Sequence, residues 1–201
     1  MISIVDYGLG NIGSIVKIIN HVGYDAKRVS TPESIKKSTL LILPGVGSFD
    51  NAMESLNSLN LIGALNEMAL VKKIPVLGIC LGMQIMCKSS EEGALAGLGW
   101  VDANVSRFKL KNKKVPHMGW NSVLPSKTTR LYDKKNESKF YFVHSFYVEC
   151  KNKEDIASTT KYEIQFTSSF EVNNIYGVQF HPEKSHIFGI NFFKNFLQNN
   201  A

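Results

Sequence analysis

The sequence predicts an α/β fold: a mostly parallel central sheet flanked by helices, with an additional antiparallel or mixed β region in the C-terminal half. Three observations predict it. Short apolar strands alternate with helix-period segments through the first half of the 201-residue chain. From residue 101 onward the pattern becomes short strands separated by turns. No linker, repeat or low-complexity stretch divides the halves, so residues 1–201 are expected to form one domain.

The chain opens on an apolar strand at residues 2–5. Residues 11–22 place Ile12, Ile15, Val16 and Ile19 at helical spacing. A strand at 27–29 leads to Thr31, Pro32 and Glu33, a start signal for a short helix. Residues 40–43 are a strand of the buried type, ended by Pro44. Residues 53–71 read as helix, divided near Asn60. The strand at 76–79 and a further helix follow. Such alternation argues for parallel strands covered by helices on both faces. In the second half, strands are predicted at 101–108, 122–124, 139–143, 147–150, 156–158, 164–168 and 175–180, with a closing amphipathic helix at 187–197.

Composition excludes several function classes. The apolar share, 44%, is ordinary for a soluble globular protein. No apolar run approaches the ~20 residues that would span a membrane. The N-terminus has neither a basic segment nor a small-residue cleavage site, so a cytoplasmic location without a signal peptide is expected. The three cysteines, Cys80, Cys87 and Cys150, lack C-x-x-C spacing, which argues against a disulfide framework or a zinc site. No metal and no other cofactor is expected. The net charge of +6 gathers partly at Arg107, Lys109, Lys111, Lys113 and Lys114, with a Lys134–Lys135 pair further on. Nucleic-acid binding would want aromatics interleaved with these charges, and only Phe108 interrupts them. The run reads as a solvated hairpin tip, so no nucleic-acid partner is expected; its charge would at most attract a phosphorylated substrate or an acidic partner.

Residues 74–84, Ile-Pro-Val-Leu-Gly-Ile-Cys-Leu-Gly-Met-Gln, carry the most information. An apolar strand runs into Cys80, which is held between Gly78 and Gly82 and followed by a helix-like segment. This is the strand–sharp turn–helix pattern of a nucleophile elbow, with cysteine at its centre. The nucleophile sits in strained backbone, and a side chain at either glycine would collide with the adjoining strand or helix. The helix after it aims its first N–H groups at the sulfur and favours the thiolate. A buried structural cysteine beside packing glycines would look the same in isolation.

Residues 175–186 decide between the two readings. Tyr176, Val178 and Phe180 look like a strand, followed by His181, Pro182 and Glu183. In extended backbone, residues two apart share a side, so Glu183 would hold one imidazole nitrogen while the other faces a thiol. Nucleophile, base and orienting carboxylate make a candidate triad of Cys80, His181 and Glu183. His144 and His117 are rival bases, ranked lower because neither has a carboxylate two residues on. His186 reads as a helix-start residue.

With these motifs in place the chain resembles the class I, triad-type glutamine amidotransferases. The stretches 6–11, 44–47, 116–121 and 141–145 narrow the resemblance to the glutaminase subunits of imidazole glycerol phosphate synthases, which serve histidine biosynthesis. The resemblance covers nearly the whole chain. It implies hydrolysis of L-glutamine through a cysteine thioester and delivery of ammonia to a cyclase subunit of (β/α)₈ type, in a heterodimer.

Hydrolysis of a carboxamide passes through an oxyanion that needs preorganised N–H donors. One donor should be the N–H of Leu81, the other that of Val46 or Gly47 in the loop after the third strand. Gln84 lies one helical turn after Cys80 and can bond the α-amino or carboxylate group of glutamine. The resemblance adds Gly45, Ser145 and Phe146 around bound glutamine. It also sets Met118 and Trp120 of an exposed loop at 116–121 against the cyclase, with Tyr141 and Lys184 as further interface residues.

Gly8, Gly10 and Gly13 form a G-x-G-x-x-G after the first strand. A dinucleotide site would want an acid near the end of the second strand, where Lys27, Arg28 and Val29 stand instead. The glycines therefore read as a tight strand-to-helix turn. Trp100, Val101, Asp102 and Ala103 depart from the usual synthase pattern and look like paralogues that supply ammonia for amidination of surface sugars. A cysteine peptidase-like protein and a non-catalytic binding protein of the same fold are the remaining alternatives.

Overall fold

The computed structural model describes residues 1–132 and 138–201. Lys134 and Lys135 lie outside the described residues. The first half alternates as the apolar pattern requires: β1 (Ile2–Val5), α1 (Ile12–His21), β2 (Ala26–Val29), α2 (Pro32–Ile35), β3 (Leu40–Leu43), α3 (Phe49–Ser58), α4 (Leu61–Asn66), β4 (Val76–Ile79) and α5 (Leu81–Ile85). Thr31 caps α2 through a capping box with Ser34, and Pro32 occupies its first turn. Asn60 breaks the predicted long helix by adopting a left-handed conformation, φ 55°. The stretch after α4, Glu67–Val71, is a single π-helical turn.

The second half holds β5 (Ser89–Ser90), β6 (Ala103–Arg107), β7 (His117–Pro125), β8 (Ser138–His144), β9 (Phe146–Cys150), β10 (Ile156–Tyr162), β11 (Ile164–Val172), β12 (Ile175–Val178) and α6 (His186–Asn200). One continuous sheet runs in the order β2-β1-β3-β4-β12-β11-β10-β7-β8, with β5, β6 and β9 branching from β11. From β2 to β12 neighbouring strands are parallel; from β12 to β8 they are antiparallel. The predicted parallel and mixed regions are therefore one sheet joined at β12.

Alternation along the parallel strands sorts the core onto two faces. Leu41 and Leu43 pack with Phe49, Leu56, Leu65 and Met83 under α3, α4 and α5. Leu40 and Ile42 pack with Ile15, Ile19, Phe192 and Phe196 under α1 and α6. No helix among the described residues is long and apolar enough to cross a membrane.

Three expectations are corrected. The segment at 116–121 is not a loop: His117 to Val123 pairs in register with Ser138 to His144, as β7 with β8. The basic run is not a hairpin tip. β6 pairs with β5 and β9, whereas β7 pairs with β8 and β10, so residues 108–116 cross between separate parts of the sheet. The run is nevertheless solvated, and the Glu163 carboxylate accepts the N–H groups of Lys111, Asn112 and Lys113. Finally, β12 ends at Val178, before Phe180.

Candidate active site

Three neighbouring parallel strands, β3, β4 and β12, end side by side, with Leu43 opposite Gly78 and Val178 opposite Ile79. The segments leaving their carboxyl ends are the glycine loop from Pro44, the cysteine and the approach to His181. Parallel sheets gather ligand sites at this edge because every strand there delivers a loop. Residues far apart in sequence thus line one cavity of about 320 Å³, among them Val46, Gly47, Cys80, Leu81, Gln84, Ser145, Phe146 and His181.

Cys80 has φ 55° and ψ −109°, a conformation costly for a side-chain-bearing residue. The flanking glycines are required by contact. A Cβ on Gly78 would stand 2.6 Å from the Gly82 carbonyl oxygen, and one on Gly82 would stand 1.8 Å from that of Leu43. The Cys80 N–H donates to the Val178 carbonyl at 2.8 Å, tying the elbow to β12. The helix that follows is five residues long.

His181 Nδ1 lies 2.8 Å from Glu183 Oε1, both side chains about 2% exposed. The geometry differs from the expected extended pair. Pro182–Lys184 is a 3₁₀ turn, and the turn folds the carboxylate back onto the ring. The His181 N–H donates to the Tyr141 carbonyl at 2.9 Å, which fixes the base against β8. His181 Nε2 is buried without an ordinary hydrogen bond, so it is available to a thiol or a leaving group. Burial lowers the imidazole's proton affinity, but the Cys80 and Glu183 charges overcome it and raise the pKa to about 10. The arrangement therefore favours a protonated imidazole beside Cys80.

The other nucleophiles are suppressed. Burial pushes the Cys87 thiol well up and the Cys150 thiol to about 12. His117 and His144, the rival bases, face each other at 3.0 Å, and burial lowers them to about 4 and about 3.

Gln84 lines the cavity, but its amide N–H₂ is engaged, donating to the Phe146 carbonyl at 3.2 Å and to Gln179 Oε1 at 3.0 Å. Its oxygen is the end left as an acceptor. Gly45 is packed tightly, since a Cβ there would stand 2.8 Å from both Leu81 Cβ and the Tyr7 hydroxyl. The Tyr7 hydroxyl in turn donates to the Pro44 carbonyl. Ser145 is the residue between β8 and β9, and Phe146 is the first residue of β9.

The four residues expected at an interface do not line the Cys80 cavity. Met118 and Trp120 are 61% and 47% exposed and share one face of β7. Trp120 stacks on His186, the first residue of α6, at 5.5 Å. Tyr141 is half-buried beside Trp120, and Lys184 is exposed on the His181 turn.

Two residues escaped the sequence reading. Glu92 lines the cavity, and burial raises its carboxyl above the usual range. Its Oε2 accepts the N–H of Phe49 at 2.9 Å and so caps α3 from a distant loop. Gln179, wholly buried, places Nε2 3.6 Å from the Cys80 sulfur. Glu92 had no pattern to reveal it; Gln179 stood two residues before a singled-out histidine. Trp100 to Ala103 do not line the cavity. Trp100 packs into the core and donates to Asn66 Oδ1 at 2.7 Å, Asp102 pairs with Lys88 and Lys151, and Ala103 begins β6.

A cysteine elbow and a His–Glu pair at the carboxyl edge of such a sheet define a thiol acyl-transfer site of the triad class. The pattern of class-I glutamine amidotransferases matches residues 3–199, and the chain belongs to that family. Among similar proteins, imidazole glycerol phosphate synthase subunit HisH 2 of Methanococcus maripaludis is 54% identical, over 98% of this chain and 99% of that one. The protein of the same name in Pseudomonas aeruginosa is 46% identical over the same shares. Subunit HisH of Bdellovibrio bacteriovorus is 43% identical, over 98% of this chain and the whole of that one. Among solved structures, PurLQS from Thermotoga maritima superposes with a TM-score of 0.77 at 15% identity, covering 100% of this chain and 98% of that chain. A glutamine amidotransferase from the same organism gives 0.67 at 20% identity, covering 98% and 84%. These two likenesses bear on the fold.

Proposed function

We propose that residues 1–201 form one glutaminase domain that hydrolyses L-glutamine to glutamate and ammonia, and passes the ammonia to a synthase partner in histidine biosynthesis. The observation that carries this reading is the strained Cys80 in one cavity with His181, itself held by Glu183. The Cys80 thiolate attacks the carboxamide carbon. The oxyanion forms near the N–H groups of Leu81 and of Val46 or Gly47. Protonated His181 gives its proton to the departing nitrogen as the C–N bond breaks, leaving a γ-glutamyl thioester and ammonia. Neutral His181 then takes a proton from water, whose oxygen attacks the thioester carbonyl and releases glutamate. The Gln84 oxygen and the Glu92 carboxylate suit the α-ammonium of glutamine; the Ser145–Phe146 corner and Gly45 close around its far end.

Free ammonia is soon protonated by water, so a partner must receive it. The reading assigns that role to a (β/α)₈ cyclase subunit, docked as a heterodimer in the cytoplasm on Met118, Trp120, Tyr141 and Lys184. The near full-length similarity to three synthase subunits supports the pathway. The amidination alternative rested on Trp100 to Ala103, whose contacts are structural, and no observation favours it. Cys80→Ala, assayed with the partner present, should lower glutamine turnover by a factor on the order of 10³ or more. Wild-type turnover in that variant would remove the assignment.

A further inference from the structure

Two buried histidines, two buried glutamines and an asparagine form a hydrogen-bonded chain that the triad does not use. It begins at the Phe146 carbonyl, an acceptor only, 2.7 Å from His144 Nδ1. His144 must therefore carry its proton on Nδ1, which makes its Nε2 an acceptor. His117 Nδ1, at 3.0 Å, must then donate, and His117 Nε2 accepts from Asn121 Nδ2 at 3.2 Å. The Asn121 amide cannot be reversed, because its oxygen accepts the Ser122 N–H and its nitrogen also donates to the Lys161 carbonyl. Both imidazoles are thus neutral and of fixed tautomer. Burial, which keeps both below the usual range, agrees with that assignment.

The chain continues toward the nucleophile. The Phe146 carbonyl also accepts from Gln84 Nε2, and the same Gln84 nitrogen donates to Gln179 Oε1 at 3.0 Å. That contact settles which way the Gln179 amide points: its oxygen toward Gln84, its N–H₂ toward the Cys80 sulfur at 3.6 Å. One end of the chain is therefore the sulfur. The other is β7, on which His117 and Asn121 face inward while Met118 and Trp120 stand exposed.

We propose that Gln179 is a second hydrogen-bond partner of the Cys80 thiolate, and that His117 and His144 are positioning residues that hold its amide in the donating orientation through Gln84 and the Phe146 carbonyl. The proposal deepens the glutaminase reading and rests on it. A donor aimed at a thiolate favours the anion over the thiol. Because the chain ends on an exposed strand, a displacement of β7 is transmitted to the sulfur and to the carbonyl that anchors Gln84.

The test is site-resolved alkylation of the purified full-length chain by iodoacetamide near neutral pH, with Cys80 and Cys150 peptides quantified separately by mass spectrometry. Gln179→Met keeps the bulk and removes the donor; it should slow Cys80 alkylation on the order of fivefold and leave Cys150 unchanged. His144→Phe should slow Cys80 comparably, whereas His144→Asn, which restores a donor to the Phe146 carbonyl, should recover most of the rate. In glutamine turnover the loss in Gln179→Met should fall on kcat more than on KM. Should His144→Phe fail to fold, Gln179→Met and His144→Asn carry the test. Wild-type Cys80 alkylation in folded Gln179→Met overturns the proposal, as does equal slowing of Cys80 and Cys150. Cys80→Ala separates the two readings: if it retains turnover the glutaminase assignment fails, whereas if it is inactive and Gln179→Met alkylates normally, only the relay fails.

Discussion

At the scale of single residues, the site depends on contacts too close for any side chain. A Cβ on Gly82 would meet the Leu43 carbonyl oxygen at 1.8 Å, and that oxygen belongs to a central strand that cannot retreat. Gly82→Ala should therefore destabilise the fold by about 3 kcal/mol or more and abolish turnover. Gly13, inside α1, faces open space. Gly13→Ala should stabilise by about 0.5–1 kcal/mol. Urea unfolding of the two variants checks both; a Gly82→Ala protein as stable as wild type would contradict the close-packed elbow. Cys80 and its glycines were legible in the sequence because an elbow demands a fixed spacing, and His181 because a carboxylate stands two residues on. The Glu183 contact was legible for an imperfect reason. The spacing suggested an extended strand, but a 3₁₀ turn makes the pair. Glu92 was not legible, since its tie to Phe49 spans 43 positions and leaves no local pattern.

At the scale of elements, the parallel half was readable and the antiparallel half was readable in part. Strands β3 and β4 carry no polar side chain, and β1 carries only the buried Ser3, because both faces are buried. By contrast, β10 and β11 run well beyond the predicted 156–158 and 164–168. Their extensions bury Thr160 and Ser169, and the Ser158 hydroxyl bonds those of Ser168 and Ser169, so a buried surface reads as polar. The first part of β7 was read as a loop because exposed Met118 and Trp120 flank Gly119, which hides the alternation. That strand carries a pH-dependent cost. His117 and His144 are neutral in the fold and lowered to about 4 and about 3, while an unfolded histidine titrates near 6.5. Below about pH 6.5 the unfolded state binds protons that the folded state refuses, so stability is lost as pH falls toward 4. His144→Asn removes one of the two groups. Its urea midpoint should fall less than that of wild type between about pH 7 and pH 5. An equal fall would show that His144 is charged in the fold.

At the scale of the molecule, the strands that set the triad also connect it to a surface. The glycine loop after β3 lines the cavity beside Leu81, while Val46 is 42% exposed. One segment thus meets both the cavity and solvent. In the proposed assembly, contact with the partner or its ligand would turn a loop N–H toward the oxyanion. The isolated chain should then hydrolyse glutamine weakly, and addition of the partner with its ligand should raise kcat strongly. Equal kcat in both states would remove this coupling. The amidotransferase resemblance came from the motifs after β4 and β12, which are neighbours in the sheet although they lie far apart in the chain.

The most direct measurement of the central claim is capture of the acyl-enzyme. The full-length chain with its partner would be mixed with glutamine, quenched in acid within one turnover, digested and analysed by mass spectrometry. The account predicts a γ-glutamyl adduct on the peptide bearing Cys80, none on those bearing Cys87 or Cys150, and loss of the adduct as glutamate appears. Glutamate formed at a full rate with no adduct on Cys80, under conditions that preserve a control thioester, would contradict it.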